Sequence, residues 1–159
     1  MLMRRIATAL AAVSLFISTA YAIDDQTVIV QGQDAEMLNA TKMAHASLDS
    51  FLSTQETPPK GSSQFRLKVK FQADKMVEHM WVMPFKRNGD GFVGILADEP
   101  LYAKSLKNGQ RVSFSRADIS DWGYAQDGKQ KGSFTVCVLF KKMPAAEVKL
   151  YREQYGFEC

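Results

Sequence analysis

Apolar and polar side chains alternate strictly in residues 65–71 (FRLKVKF), where arginine and lysine separate the apolar residues. A period of two is typical of a β-strand with one buried face and one face in water. Residues 76–85 (MVEHMWVMPF) follow after residues 73–75 (ADK), which suit a hairpin turn. The pattern therefore predicts two antiparallel strands in succession.

Turn residues indicate two further strands. Residues 88–91 (NGDG) predict a hairpin before residues 92–97 (FVGILA). Residues 108–109 (NG) precede residues 111–115 (RVSFS) in the same manner. The middle of the chain is therefore predicted to form mainly sheet.

Residues 127–128 (DG) turn the chain from residues 121–125 (DWGYA) into residues 132–140 (GSFTVCVLF). The length and apolarity of this last segment predict a central strand. A short strand is also predicted at residues 26–31 (QTVIVQ), which are rich in β-branched residues.

A helix is predicted on either side of this strand-rich region. Asp34 can accept hydrogen bonds from the first free N–H groups of a helix, and apolar residues then recur at three- and four-residue steps. Residues 57–63 (TPPKGSS) end this helix. A second helix begins at Pro144 and runs through Tyr155, and Gly156 suits a left-handed cap.

Together these elements predict an α+β fold. We expect an antiparallel β-sheet of about five to six strands, flanked by an N-terminal and a C-terminal helix. The sequence contains no internal repeat, and residues 23–159 are predicted to form a single domain.

Residues 1–22 carry the features of a secretory signal peptide. MLMRR is basic, residues 6–20 form an uncharged apolar run of 15 residues, and the AYA that ends at Ala22 suits a signal peptidase. The run is shorter than the roughly 20 residues that span a bilayer. We therefore expect cleavage after Ala22 and a periplasmic protein. An uncleaved membrane anchor is the alternative, and the two arginines leave Sec and Tat export open.

Charge adds little to this picture. The full chain has a net charge of +3, and removal of the two leader arginines leaves 18 basic and 17 acidic side chains, a net charge of +1. A nearly neutral domain gives no argument for nucleic acid or an anionic membrane as a partner. We expect no stable membrane span after the signal peptide is cleaved.

The two cysteines, Cys137 and Cys159, both lie in the part predicted to be exported. In an oxidising compartment an even pair is more often bridged than free. We predict a structural Cys137–Cys159 disulfide. The alternative is a buried Cys137 and a free Cys159 thiol.

The stretch EHMW places a tryptophan beside an acidic and an imidazole side chain. Strand alternation places His79, Trp81 and Phe85 on one face and Glu78 on the other, so Glu78 and His79 cannot act on the same substrate atom. His79 could be a general base or a binding donor near neutral pH. The alternative, which is favoured because no nucleophile is identifiable nearby, is a histidine at the edge of the core with its ring nitrogens bound to a carboxylate or carbonyl.

The stretch ISDWGY is a possible companion. Trp81 and Trp122 could form a stacking platform or could simply pack in the core. Asp121 lies near a predicted turn, where aspartate commonly binds backbone N–H groups, and solvated charge would account for Glu99. If ISDW packs against the face that carries His79, a His79–Asp121 contact would join the two segments.

The chain lacks the common signatures of catalysis. There is no G-x-S-x-G elbow, no glycine-rich phosphate loop and no H-E-x-x-H motif. His45 and His79 are 34 residues apart and do not form a metal-ligand cluster with the cysteines. The sequence therefore predicts no cofactor, no metal site and no identifiable catalytic residue.

The segments EHMWV, GFVGILADEP, LKNGQRV and ISDWGY occur in this order and resemble the bacterial domain-of-unknown-function 2314 family. The exported, cysteine-terminated layout resembles its YegJ-like members, and the similarity covers about residues 34–139. The resemblance implies no activity. It implies that the residues matching the family pattern are Glu78, His79, Met80, Trp81, Gly94, Glu99, Pro100, Gly109, Ser120, Asp121 and Trp122.

These observations favour a non-enzymatic binding or protein-interaction module, with an unknown protein or small ligand of the periplasm as its partner. The predicted contact residues are Glu78, His79, Trp81, Glu99, Asp121 and Trp122. One alternative is an immunity-type inhibitor that presents exposed acidic residues such as Asp98 and Glu99 to the cleft of a toxin delivered to the periplasm. The other is a hydrolase that uses carboxylate or His79 chemistry.

Overall fold

The computed structural model describes residues 34–159, and the predicted signal peptide and the predicted strand at residues 26–31 lie outside the described residues. The helices and strands are α1 (Ala35–Glu56), β1 (Ser62–Ala73), β2 (Met76–Asn88), β3 (Gly91–Leu96), β4 (Arg111–Phe114), β5 (Ile119–Gln126), β6 (Lys129–Gly132), α2 (Phe134–Phe140) and α3 (Ala145–Tyr155). A single 3₁₀ turn, Arg116–Asp118, connects β4 to β5.

The strands pair in the order β4-β3-β2-β1-β5-β6, and each pairing is antiparallel. The predicted α+β fold with helices at either end of the sheet region is therefore confirmed. The hairpins form at the predicted turns, where Asp74 (φ 50°), Gly89 (φ 57°) and Asp127 (φ 50°) adopt the positive φ angles that tight hairpins need.

Helix α1 packs on one face of the sheet, which we call the inner face. The helix begins where predicted, because Asp34 Oδ1 accepts hydrogen bonds from the N–H groups of Glu36 and Met37 at 3.0 and 3.1 Å. The apolar stripe of α1 and alternate residues of the strands form the main core. Its fully buried members include Leu48, Phe51, Leu67, Val69, Met80, Val82, Leu96 and Ile119.

Strand β2 changes its side-chain alternation part of the way along. Val82 lies opposite Leu96 and Phe85 lies opposite Gly94, so β2 has one extra residue between these pairs. An extra residue moves the following side chains to the opposite face. Phe85 is therefore buried in the main core, and the prediction that it shares a face with His79 is wrong.

Residues 132–140, predicted as a central strand, form the end of β6 and helix α2 instead. The chain turns at Ser133, which has φ 55°. The first N–H groups of the helix, those of Phe134 and Thr135, donate to the carboxylate of Asp121 at 3.2 and 2.8 Å. The segment is apolar on most sides because α2 packs against α1 and also against α3.

Helix α3 lies where it was predicted, with Pro144 before its first residue and Gly156 after its last at φ 73°. The predicted disulfide is present and joins Cys137 of α2 to Cys159. Together α2, α3 and the C-terminal residues cover part of the face of the sheet opposite α1, which we call the outer face. Their apolar cluster contains Val136, Phe140, Val148 and Phe157, with Trp81, Met143 and Tyr151 packed against it.

Candidate functional site

The strand register places three of the predicted contact residues on the outer face. Lys68 of β1 lies opposite Trp81 of β2 and opposite Asp121 of β5, while Lys70 lies opposite His79. Residues that lie directly opposite each other in an antiparallel pair share a face of the sheet. His79, Trp81 and Asp121 therefore stand on the side away from α1.

Glu78 holds the long loop between β3 and β4. Its carboxylate accepts hydrogen bonds from the N–H groups of Leu101, Tyr102 and Ala103 at 2.7 to 2.9 Å. Burial acts to raise the pKa of Glu78, but the three N–H donors and Lys104 outweigh it and hold the pKa below its ordinary value. Glu78 is thus ionised and fully engaged within the protein.

Trp122 is a core residue of the inner face. Its indole Nε1–H donates to the carbonyl of Ala44 in α1 at 3.0 Å. The ring stacks on Phe51 with centroids 4.8 Å apart and meets Phe134 edge-on at 5.5 Å. Trp122 therefore joins α1 and α2 to the sheet and is buried.

The two acidic residues of the β3–β4 loop, Asp98 and Glu99, have different surroundings. Asp98 Oδ2 accepts a hydrogen bond from the backbone N–H of Trp81 at 2.7 Å. Glu99 is exposed to solvent. Only the second of the two carboxylates is therefore displayed on the surface as a charge.

His79 contacts the β5 segment through Ser120. Its Nδ1 lies 2.8 Å from Ser120 Oγ, and that hydroxyl also lies 3.2 Å from the carbonyl oxygen of Lys68. Although the residue is exposed as a whole, desolvation of the ring against the sheet lowers the pKa of His79 to about 4, and the charges of Lys68 and Lys70 add to this effect. The imidazole is therefore neutral at pH 7.

Trp81 lies half-buried beside two cations. Arg66 Cζ and Lys68 Nζ are 4.8 and 5.4 Å from the centroid of the ring, within the range of cation–π attraction. Desolvation lowers the pKa of Lys68, while the carboxylates of Asp121 and Asp98 oppose this shift. The tryptophan ring thus covers the charged ends of two β1 side chains.

Asp121 is buried, with 0% of its surface exposed. Oδ1 accepts from the N–H groups of Trp122 and Phe134, and Oδ2 accepts from the N–H and hydroxyl groups of Thr135 at 2.8 and 2.6 Å. Burial raises the pKa of Asp121, although these donors and Lys68 act against the shift. Because Lys68 Nζ donates to Thr135 Oγ1 at 3.3 Å, one network ties β1, β5 and α2 together.

The structure therefore brings His79 and Trp81 together on an accessible face, places Asp121 beneath it, and sends Glu78 and Trp122 to other contacts. Sequence reasoning missed the roles of the surrounding residues Arg66, Lys68, Asp98, Ser120 and Thr135. The alternation of side chains did place Arg66 and Lys68 on the polar face of β1. Their partners depend on the strand register, which no local pattern contains.

Beyond Trp81 the outer face is left open. A groove of about 180 Å³ with a mainly apolar lining lies over β2, β3 and β4, and we call it the outer groove. Met83, which is 38% exposed, lies on β2 between Trp81 and this groove. The outer groove is lined by Pro84, Phe85, Lys86, Val93, Gly94, Ile95 and Arg111.

A larger groove of about 400 Å³ lies between α1 and α2. Glu36 and Lys141, which both line it, form an ion pair between the two helices at 2.5 Å. The groove is otherwise mainly apolar and includes Met43 and Val138. None of the six predicted contact residues lines it.

Within residues 34–159, no three side chains of histidine, cysteine, aspartate or glutamate are grouped so that they could hold a metal ion. The helices of the same part of the chain are too short or too polar to cross a bilayer.

The fold and site define a small antiparallel α+β domain with a partly open aromatic and basic sheet face. The sequence profile of a family described as an uncharacterised protein conserved in bacteria (DUF2314) matches residues 34–159. This match runs from the cap of α1 to the disulfide-bonded Cys159. The chain belongs to the DUF2314 family, as its sequence motifs predicted.

Two known bacterial proteins are similar to the chain. The uncharacterised protein YegJ of Escherichia coli K12 is 27% identical over 135 residues, which cover 84% of this chain and 87% of that protein. A putative ankyrin repeat protein of Neisseria meningitidis serogroup B is 28% identical over 96 residues, which cover 58% of this chain and 38% of that protein. No solved structure matched the chain.

Proposed function

We propose that this protein is a periplasmic protein-interaction module that binds its partner through the open part of the outer face. The observation that carries the proposal is the chemistry of this surface. Half-exposed Trp81 and exposed Met83 continue into the apolar outer groove, and His79 lies at the other end of the same strand face. Aromatic residues and methionine are enriched in protein interfaces.

The periplasmic location is supported by residues 1–22 and by the disulfide. The N-terminal segment has the basic, apolar and small-residue order of an export signal. The Cys137–Cys159 bridge suits an oxidising compartment, since such bonds are rare in the cytosol.

The match to part of a longer protein also supports a module. The Neisseria relative is described as a putative ankyrin repeat protein, and the matched region is 38% of its length. A domain of this kind is therefore found joined to other sequence, which suits a unit that contributes binding to a larger arrangement.

The hydrolase hypothesis relied on carboxylate or His79 chemistry, and the hydroxyl that His79 contacts is that of Ser120. Ser120 is 2% exposed, and its hydroxyl is shared with the Lys68 carbonyl. A buried serine cannot meet a substrate carbonyl, and a histidine with a pKa of about 4 is a weak base at pH 7.

The toxin-inhibitor hypothesis relied on exposed acidic residues such as Asp98 and Glu99. The Asp98 carboxylate is bound by the Trp81 N–H, which leaves Glu99 as the exposed member of the pair. Neither alternative is favoured by this geometry.

The proposal can be tested by photo-crosslinking in cells that export the full chain. A photoreactive amino acid is placed at Met83 on the outer face or, as the control, at Leu38 on the exposed side of α1, because the two side chains are 38% and 49% exposed. We expect a discrete crosslinked partner from the Met83 position and none from the Leu38 position. Equal crosslinking at both positions, or none at Met83, would count against the proposal.

A further inference from the structure

We infer that the outer groove binds an extended acidic segment of a partner protein, with an apolar side chain of that segment seated on half-buried Ile95 and the remaining apolar lining, in which Val93 is 4% exposed. This inference rests on the proposed interaction function and names the chemistry of the partner. It is carried by the register of three strands, by the size of the groove and by the distribution of charge on the outer face.

The register places a cation beside each apolar residue of the floor. Val93 lies opposite Lys86 on β2 and opposite Ser113 on β4, while Ile95 lies opposite Arg111 on β4. Lys86 and Arg111 therefore stand on opposite sides of β3, and one is displaced along the strand from the other. A chain that runs along β3 would meet one cation on each side.

The size of the groove indicates the kind of occupant. Its volume of about 180 Å³ is below the roughly 300 Å³ at which pockets for small-molecule ligands begin. A space of this size accommodates one or two aliphatic side chains. It therefore suits the alternate side chains of an extended peptide better than a separate small ligand.

Charge on the outer face is asymmetric. The outer-facing positions of β1 to β4 include five basic residues, namely Arg66, Lys68, Lys70, Lys86 and Arg111. Asp121 is buried, and the half-buried Asp98 carboxylate lies close to Arg66 and Lys68. The exposed cations Lys70, Lys86 and Arg111 therefore give the open part of this face its positive charge.

The two cations of the outer groove differ from their neighbour Arg87. Arg87 points to the inner side and pairs with Glu56 of α1 at 2.9 Å. Among the residues that the structure describes, neither Lys86 nor Arg111 forms an ion pair, and both are exposed. Carboxylates of a partner would supply the missing counter-charges, and charge pairs of this kind also speed association.

The test uses the purified full chain and labelled peptides in fluorescence anisotropy. The first peptide alternates glutamate with valine, the second alternates glutamate with serine, and the third alternates lysine with valine. We expect the first peptide to bind, with an affinity that falls as salt is added, and the other two to bind at least tenfold more weakly. Equal binding of the first two peptides would show that the apolar floor plays no part and would overturn the inference.

Charge-reversal variants locate the binding. Lys86→Glu/Arg111→Glu is expected to weaken binding of the glutamate–valine peptide at least tenfold. The matched control, Lys42→Glu/Lys75→Glu, makes the same change in net charge at exposed positions away from the groove and is expected to bind like the unchanged protein. If both double variants weaken binding equally, the effect is one of net charge and the inference fails. Should the reversal variant not fold, Lys86→Gln/Arg111→Gln takes its place.

Two further outcomes separate this inference from the proposed function. If the Met83 crosslink captures a partner but no peptide binds at millimolar concentration, the acidic segment is wrong and the interaction function stands. Sedimentation with phosphatidylglycerol vesicles tests the other source of negative charge. Vesicle binding that requires Lys86 and Arg111, without peptide binding, would replace the peptide by a membrane surface.

Discussion

Glu78 and Asp121 lie on different sides of the sheet, yet both carboxylates accept hydrogen bonds from the backbone of a distant segment. Glu78 binds the N–H groups of residues 101–103, and Asp121 binds the first N–H groups of α2. Each carboxylate thereby satisfies backbone N–H groups that would otherwise lack a partner within the protein. We expect substitutions at both positions to change stability before they change binding.

The first prediction concerns Glu78→Gln. The amide has one acceptor oxygen, and its NH₂ group would face N–H donors, so the loop loses at least one charge-assisted hydrogen bond. We expect the free energy of unfolding at pH 7 to fall by about 1–3 kcal/mol and hydrogen exchange in residues 97–110 to quicken. Urea unfolding and exchange mass spectrometry measure these two quantities.

The control is Glu99→Gln, which removes the same charge from an exposed position in the same loop. We expect this variant to match the unchanged protein in both measurements. Similar losses in the two variants would mean that charge, and not the hydrogen bonds of Glu78, stabilises the loop.

The second prediction concerns the pH dependence of stability through His79. The folded protein keeps the ring neutral down to pH about 4, whereas an ordinary histidine has a pKa of 6.5. The unfolded chain therefore binds a proton in this window that the folded protein does not, so the stabilising contribution is present above pH 6.5 and is lost as the pH falls towards 4. Desolvation of the ring is the main cause of the lowered pKa, and the charges of Lys68 and Lys70 add to it, while Ser120 contacts Nδ1.

Urea unfolding of the unchanged protein and of His79→Gln at pH 7.0, 5.5 and 4.5 checks the prediction. The unchanged protein is expected to lose stability relative to the variant as the pH is lowered. An NMR titration of the ring gives the pKa directly. Parallel stability profiles, or a measured pKa near 6.5, would contradict the assignment.

Predictions for single residues succeeded where they depended only on the alternation of side chains within one strand. Alternation correctly separated Glu78 from His79, because the face of a strand residue depends on its distance from its neighbours in the same strand. The contact between His79 and Ser120 could not be found in this way. Ser120 lies at a register shift between the Lys68–Asp121 and Val69–Ile119 pairs, and such a shift depends on tertiary packing.

At the scale of elements, α2 shows that a short apolar segment does not reveal whether it forms a helix or a strand. Residues 134–140 lack the polar positions that would reveal a helical period, because neighbouring helices cover the segment on both sides. A short buried helix and a buried strand then look alike in the sequence. The feature that decides between them is the carboxylate of Asp121, which binds the first turn from another strand.

The third prediction concerns the link between α2 and the C-terminal residues. In Cys137→Ser/Cys159→Ser the loop between these two positions, whose sequence separation is 22, is no longer closed by a bond. Loop-closure entropy gives a loss of about 3 kcal/mol in the free energy of unfolding. We expect this loss in urea unfolding, together with faster hydrogen exchange in α3, while exchange in α1 stays slow.

Addition of a reductant supplies the control for this experiment. Reduction of the unchanged protein is expected to produce a similar loss, and the same treatment of the double variant is expected to have no effect. If the variant keeps the stability of the oxidised protein, α3 and Phe157 are held by their apolar contacts alone.

At the scale of the whole molecule, the predictable part of the fold is the meander β1-β2-β3-β4. Its first two turns are tight hairpins at Asp74 and Gly89, which have positive φ, and the longer loop at residues 97–110 joins β3 to β4. The return of β5 to the free side of β1 is not local and left no signal in the sequence. The β1–β5 pairing completes the sheet. Helix α1 covers its inner face, and the outer face stays partly open for the proposed contact.

The bulge in β2 constrains how members of this family can change in length. Before the bulge, His79 and Trp81 face outward, and after it Lys86 does so. Deletion of one residue between them would turn the rest of the strand over, exposing Phe85 to water and burying Lys86. Single-residue insertions and deletions should be rejected here although the loop at residues 97–110 can accept them.

The same bulge in β2 also limits which residue can stand at position 94 of β3. A Cβ atom on Gly94 would clash with Cγ1 of Val82 and would lie 2.7 Å from the carbonyl oxygen of Pro84 and 3.0 Å from Cβ of Phe85. Glycine at position 94 is therefore compatible with the extra residue, and a larger residue is not. In an alignment of the family, we expect relatives that lack the extra residue in β2 to be the ones in which position 94 is free to vary.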